Sequence, residues 1–430
     1  MLTQANGQRV VIYGINYAPE MAGVGRYSGE IGAFLAAQGH AVSAVTTPPH
    51  YPGWRALPPY SGDKWMRETV DGVDVHRCPL YLHPQMQGIR RLLAPLSFAL
   101  SSAIPAFRHI LKTRPQVVLI VEPTLFVAPV GLFAAKLVGA KTVLHVQDLE
   151  IDAAFAVGHL GKGGLMARLA AAFERSLLHR FDRVITISTR MAEKIAEKGI
   201  DASRIEVVRN WVDIDLIKPL AGPSPYRAEL GLADDCKVVL YSGNIGAKQG
   251  VGLIIEAAER LADRHDIQFI VAGEGPMRPL VEAASQRLGN IRLLGFQPEA
   301  RFSDFLGLAD IHILPQELGT ADLLLPSKLG GMLASGRPIL VTADPGTELA
   351  TFLGESCVFS PPGDGAAVAQ AVSQMAAAPL DPEGVNLRLE RARRLSKTTL
   401  IRNFETAALF MSARPAEAAH EAPALTAHSA

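Results

Sequence analysis

The chain has 430 residues, too many for one compact core, and this length predicts two domains of roughly 200 residues each. Lys plus Arg and Asp plus Glu both total 42, and the zero net charge argues against nucleic acid as the main partner. Three scattered cysteines, Cys78, Cys236 and Cys357, have no metal-ligand spacing and suit a reducing compartment. The polar start over residues 1–8, with no apolar leader, sets the expectation of a cytoplasmic protein.

The apolar run 10–15 reads as a buried strand. It leads into Pro19-Glu-Met-Ala-Gly-Val-Gly25, then a helix expected over 27–38 with Gly39 just past its end. Ala41 begins a second strand and completes a βαβ unit. The G-x-G-x-x-G spacing of a dinucleotide fingerprint is absent. Gly23 and Gly25 stand where an open α/β sheet takes ligands, at a strand's carboxyl end, with a structural turn as the alternative.

Residues 46–81 are rich in proline and aromatics and read as a long surface loop. Next, Arg90 and Arg91 precede the apolar run 92–107, and Arg108, His109, Lys112 and Arg114 follow it. A span of the bilayer needs about twenty apolar residues, so a crossing helix is disfavoured. Two readings stay open: an amphipathic segment lying in a membrane surface, or a core helix with snorkelling ends.

Runs 117–121, 142–146 and 184–187 supply further buried strands between helical stretches, hence a mostly parallel sheet. Polar residues gather after the second of them, in His145-Val-Gln-Asp-Leu-Glu-Ile-Asp152. His145 could hydrogen-bond a sugar hydroxyl and Asp148 could orient one, against a structural role for both. A Pro/Gly-rich passage at 219–225 reads as the interdomain linker.

The second domain opens at Lys237 with the apolar run Val238-Val-Leu-Tyr241, which stops at Ser242-Gly243. Gly243, Gly246 and Gly250 permit a tight turn before an amphipathic helix from Val251. Amides at that helix start, with the ammonium of Lys248 beside them, read as a diphosphate cradle; an ordinary turn with a solvated lysine is the alternative. Strands are expected at 267–272, ending in Gly273-Glu-Gly-Pro276, and at 291–294, ending in Gly295-Phe-Gln297. Two more are expected at 310–315 and 338–341. Between these, Ser327 and Lys328 open a helix, so a phosphate or hydroxyl could meet dipole, hydroxyl and ammonium together. Asp322 precedes them, where a carboxylate could accept from sugar hydroxyls; helix capping is the alternative for Asp322 and Ser327. A single helix is expected over 387–411, and the Ala/Pro/His-rich stretch 414–430 reads as disordered.

Taken in order, these motifs resemble glycosyltransferase family 4. The matching stretches are the 19–25 loop, Gly39-His40, Val208-Arg-Asn-Trp-Val-Asp213, Ser242-Gly-Asn-Ile-Gly-Ala-Lys-Gln-Gly250, Ala272-Gly-Glu-Gly275 and Pro326-Ser-Lys328 with Ala334-Ser-Gly-Arg-Pro338. Within the family, the 145–153 and 325–338 stretches look like those of colanic-acid fucosyltransferases. The resemblance implies a GT-B fold of the α/β class, two Rossmann-like domains with mostly parallel sheets facing across a cleft. It implies an acceptor domain at 1–217, a nucleotide-sugar domain at 218–395 and a helix at 396–413 crossing back to the first.

It further implies retaining transfer from a nucleotide-sugar, with GDP-fucose suggested, to a lipid-linked saccharide in exopolysaccharide assembly. The enzyme would be peripheral on the inner face of the cytoplasmic membrane. Lys248 would hold the donor diphosphate, which Gly23 and Gly25 would let the first domain approach. Gly243, Asn244, Gly273, Asp322, Ser327 and Lys328 would line the donor site, Gln297 would meet the base, and His145, Asp148, Lys248 and Asp322 would form the catalytic set. No Asp-x-Asp motif stands in a suitable context, so neither a metal nor another cofactor is expected.

Two departures stand out. Asn244 replaces the family's arginine, and the pair of glutamates eight residues apart is replaced by Leu323 and Gly331, with Asp322 the nearest substitute. Other classes therefore stay open: a non-catalytic nucleotide-sugar-binding protein, which the lost glutamates suggest, and a nicotinamide oxidoreductase, which the missing fingerprint disfavours.

Overall fold

The computed structural model describes residues 7–20, 23–51, 53–83, 89–149, 164–246, 249–316, 325–379 and 381–410. The chain divides into two compact units, Met1–Arg209 with Ile401–Ala430, and Asn210–Leu400. The Pro/Gly-rich passage 219–225 belongs to the second unit, where the Ser224 hydroxyl donates to the Asp304 carbonyl at 2.7 Å.

Eight strands form the first sheet: β1 (Arg9–Tyr13), β2 (Ala41–Thr46), β3 (Met66–Val70), β4 (Val73–Arg77), β5 (Val117–Glu122), β6 (Lys141–Val146), β7 (Arg183–Thr186) and β8 (Ile205–Val207). Their order is β3-β4-β2-β1-β5-β6-β7-β8, and all pair in parallel except β3, which runs antiparallel to β4. Val-, Ile- and Leu-rich runs suit strands covered on both faces, and every residue of β5 is buried. Helices α1 (Gly23–Ala37), α2 (Ile89–Thr113) and α3 (Ala128–Val138) belong to this unit. Because α1 already begins at Gly23, both glycines of the 19–25 loop lie in its first turn, where a loop was expected.

The β3–β4 hairpin occupies part of the stretch that reads as loop. Asp71 and Gly72 both take positive φ, 49° and 80°, as a two-residue hairpin turn requires.

The second sheet contains β9 (Lys237–Ser242), β10 (Ile267–Ala272), β11 (Ile291–Leu294), β12 (Ile311–Leu314), β13 (Ile339–Thr342) and β14 (Val358–Ser360). All pair in parallel, in the order β11-β10-β9-β12-β13-β14. The chain thus reverses its direction of winding between β9 and β12. In an open α/β sheet, ligands bind outside the carboxyl ends of the strands at such a point. A core of Val239, Tyr241, Ile254, Phe269, Val271 and Ile313 fixes β9, β10 and β12 against the helix Val251–Arg260.

The expected helix 387–411 is two helices, Pro382–Arg393 and Lys397–Ala408, separated at 394–396 by a tie to the Trp211 neighbourhood. There the Val212 amide donates to the Leu395 carbonyl at 2.8 Å and the Lys397 amide to the Val212 carbonyl at 2.9 Å. Backbone pairing at this point competes with helix continuity. Residues 411–430 lie outside the described residues.

Candidate active site

Strand β9 ends at the switch point of the second sheet, and its residues build the densest polar group there. Tyr241 is wholly buried, and its hydroxyl donates to the Asn244 carbonyl at 2.6 Å. The Lys328 ammonium donates to the same hydroxyl at 2.8 Å and stands 3.9 Å from the centre of the tyrosine ring. Burial pushes the Lys328 amine down to about 7 and the Tyr241 phenol well above its ordinary value. Asn244 and Lys328, two of the residues expected to line a donor site, are thus joined through a tyrosine that the motifs did not single out, and Gly243 lies beside the Lys328 side chain. The tyrosine's only signal in the sequence is a phenol following the aliphatic run 238–240.

The loops after β9 and β10 press together backbone to backbone. A Cβ on Gly273 would lie 1.9 Å from the Gly243 carbonyl oxygen, and one on Gly275 would lie 2.4 Å from that of Ile245. Gly243, Gly273 and Gly275 have φ of 138°, 144° and 153°, a region that L side chains rarely adopt. Amide bonds from Gly243 to Ala272, from Ile245 to Glu274 and from Met277 to Ile245, at 2.9, 2.8 and 3.0 Å, lock the pair of loops. Gly250, at φ 57°, closes the turn into the helix Val251–Arg260 against the Gln316 amide, 3.0 Å from where its Cβ would stand.

Gln297 lies on the loop after β11. Its side chain donates to the Gly295 carbonyl at 3.0 Å and accepts from the Tyr226 hydroxyl at 2.9 Å, which fixes its orientation on the loop. Ser327 is exposed just before the helix Leu329–Ala334. Lys248 and Asp322 lie outside the described residues.

Gly331, where the family resemblance leads one to expect a glutamate, faces apolar packing. A Cβ there would lie 3.1 Å from Leu306 Cδ1 and 3.4 Å from Ile217 Cδ1. The glycine lets the helix Leu329–Ala334 pack closely on these side chains.

In the first unit Glu20, which is 3% exposed, ties together the segments around Asn16 and His50. Its carboxylate accepts from the amides of His50 and Tyr51 at 2.9 and 3.0 Å and from the Asn16 side-chain amide at 2.9 Å. A Cβ on Gly25 would fall 2.1 Å from that carboxylate, and one on Gly23 3.3 Å from the Tyr51 ring. Gly25 is therefore required by Glu20 whatever it does for a ligand. Arg77, also buried, pairs with Glu68 and donates to the Thr47 and Ala18 carbonyls at 2.9 and 2.7 Å, bracing the same loops.

His145 closes β6 from within. It is 1% exposed, packs its ring 4.8 Å from that of Phe404, and burial lowers it to about 3. This imidazole is therefore closed to a sugar hydroxyl in this structure. Asp148 is exposed just beyond the strand.

This chain belongs to glycosyltransferase family 4, with the GT-B fold. Residues 22–211 match the model of a glycosyl transferase 4-like domain, and residues 236–378 match that of glycosyl transferases group 1. It is 40% identical over 407 residues to the putative colanic acid biosynthesis glycosyl transferase WcaI of Escherichia coli (strain K12), an alignment covering 92% of this chain and 98% of that protein. Among solved structures it resembles sucrose-phosphate synthase from Thermosynechococcus elongatus, with a TM-score of 0.69 at 16% identity over 93% of this chain and 98% of that one. It also resembles Anabaena HepE in complex with UDP and glucose, with a TM-score of 0.61 at 16% identity over the same shares, 93% and 98%.

Proposed function

We propose that the chain is a retaining glycosyltransferase that moves a sugar from a nucleotide-sugar, with GDP-fucose the first candidate, to a lipid-linked saccharide in assembly of a colanic-acid-like exopolysaccharide. The name of the WcaI relative supports the pathway. The observation that carries the reading is the group at the switch point of the second sheet: Lys328 held on Tyr241 at the carboxyl end of β9, beside two loops locked together through their glycines.

In this reading the acceptor hydroxyl attacks the sugar's anomeric carbon on the face the diphosphate leaves. The bond from that carbon to phosphate oxygen breaks, and the departing diphosphate takes the acceptor's proton. Lys248 and Lys328 neutralise the charge that builds on the leaving group, and Ser327 adds a hydroxyl at the helix start. Asp322 and Asp148 hold sugar hydroxyls, Gln297 offers backbone to the base, and buried His145 supports the end of β6. Turnover needs no metal ion.

Association with the inner membrane face is supported by α2. Leu93, Leu96, Leu100 and Ile104 recur at helical spacing on its exposed side, with Leu100 79% and Ile104 63% exposed. Trp65 donates from its indole to the Ser101 carbonyl of this helix at 3.3 Å and is itself 62% exposed. Arg108 and Lys112 follow on exposed positions. An apolar stripe with an indole and basic residues at one end suits a helix lying in the interface, and no described helix is long and apolar enough to cross.

A thermal-shift screen of nucleotide-sugars followed by transfer of labelled sugar tests the reading. A donor at about 100 times its Kd stabilises by about 2.7 kcal/mol, and the anomer of the product reports retention. A second reading, a nucleotide-sugar-binding protein without turnover, is favoured by Asn244 and Gly331 in place of charged residues; it predicts the thermal shift without transfer.

A further inference from the structure

In the first unit, Asp74, His76 and His109 each offer a ligand atom within 4.8 Å of the other two, and they are the sole such group among the described residues. Strand periodicity sets Asp74 and His76 on one face of β4, at i and i+2. Helix α2 contributes His109, whose ring centre lies 4.4 Å from that of His76. Each member is already oriented. His109 Nε2 meets the Ser43 hydroxyl at 2.8 Å, and His76 Nε2 meets Asp74 Oδ2 at 3.2 Å. Arg67 donates to both carboxylate oxygens of Asp74, at 2.7 and 2.6 Å.

We propose that Asp74, His76 and His109 form a binding site for a divalent transition-metal ion of the zinc class, which ties α2 to β4 of the first sheet. Two imidazoles and one carboxylate are the donors such an ion prefers, whereas calcium and magnesium take oxygen ligands. All three residues are partly exposed, so water can complete the coordination. Metal bonds of about 2.0–2.1 Å require the three ligand atoms to draw in by rotamer adjustment. The Arg67 side chain is 65% exposed and can withdraw from one carboxylate oxygen while still orienting the other. The cluster shares no residue with the proposed donor site, and its action is on α2, which carries the exposed apolar stripe.

Zn²⁺ titrated calorimetrically into the metal-stripped full chain, with Co²⁺ as the optical probe, tests this. Expected are one equivalent of Zn²⁺ bound, a rise in Tm, and ligand-field bands on Co²⁺ addition. Affinity should fall at least tenfold in His76→Ala and in His109→Gln and stay unchanged in His265→Ala, an exposed histidine of the other unit. If His109→Gln does not fold, His76→Ala and Asp74→Asn decide. Absence of stoichiometric binding, or binding that survives loss of His76 and of Asp74, overturns the proposal.

Discussion

The ammonium of Lys328 and the hydroxyl of Tyr241 are 2.8 Å apart, with the lysine nitrogen 3.9 Å from the centre of the ring. Desolvation by burial sets the lysine's low basicity, and a phenol and a π face stand in for water around its charge. The amine is thus far less basic than a free lysine before any donor arrives.

Between about 7 and the ordinary lysine value of 10.5, the folded site holds a neutral amine while the unfolded chain keeps the proton. The unfolded state then binds more protons, so this group makes the free protein more stable as pH rises through that window. A bound diphosphate has the opposite preference, since it favours the ammonium. Donor affinity should therefore weaken as pH climbs above about 7, with proton uptake on binding. Calorimetry in two buffers of different ionisation enthalpy measures that uptake, and Lys328→Met should abolish it.

The glycine pair makes a steric prediction. Gly273→Ala puts a methyl 1.9 Å from the Gly243 carbonyl at a φ of 144°. Strain and overpacking together should cost about 2–5 kcal/mol and remove donor binding. Gly252→Ala, in the helix Val251–Arg260 with nothing within 4 Å of its Cβ, should instead stabilise by about 0.5–1 kcal/mol. Urea unfolding of the two variants beside the parent separates these outcomes.

The buried parallel strands were legible because a strand covered on both faces reads as a near-continuous apolar run, as in residues 117–121 of β5 and 238–241 of β9. The β3–β4 hairpin was not, since β3 is largely exposed and carries Met66, Arg67 and Glu68 in place of apolar alternation. Asp71-Gly72 between two such runs was the available signal. At the candidate site, the glycines and Lys328 could be found from spacing alone. Tyr241 and Glu20 could not, because their roles come from contacts between segments far apart in the chain: Tyr241 with Lys328, and Glu20 with the amides of His50 and Tyr51. The helix break at 394–396 arises likewise from pairing with Val212, outside any local pattern.

Leu100→Glu with Ile104→Glu should remove most partition onto vesicles containing anionic lipid while leaving transfer to a water-soluble acceptor analogue within about twofold of the parent. Both side chains point outward on α2, so the folded core is untouched. Co-sedimentation and the soluble assay read the two effects separately, and unchanged sedimentation would remove α2 from the membrane account.

Excess EDTA should leave the rate of sugar transfer unchanged, because lysines rather than a metal ion neutralise the diphosphate. If the Asp74, His76 and His109 site is loaded, the same treatment lowers Tm without lowering turnover at temperatures well below it. Loss of turnover that added Mg²⁺ or Mn²⁺ restores would assign the diphosphate to a metal instead.

The central claim is that the second unit stabilises a leaving diphosphate with lysine. It is tested most directly by the initial rate of labelled-sugar transfer in Lys248→Ala beside the parent, at saturating donor and with the folded fraction of each matched by circular dichroism. The account predicts a fall of at least about a hundredfold, the scale of losing one electrostatic contact to a developing charge. Transfer at the parental rate would contradict it.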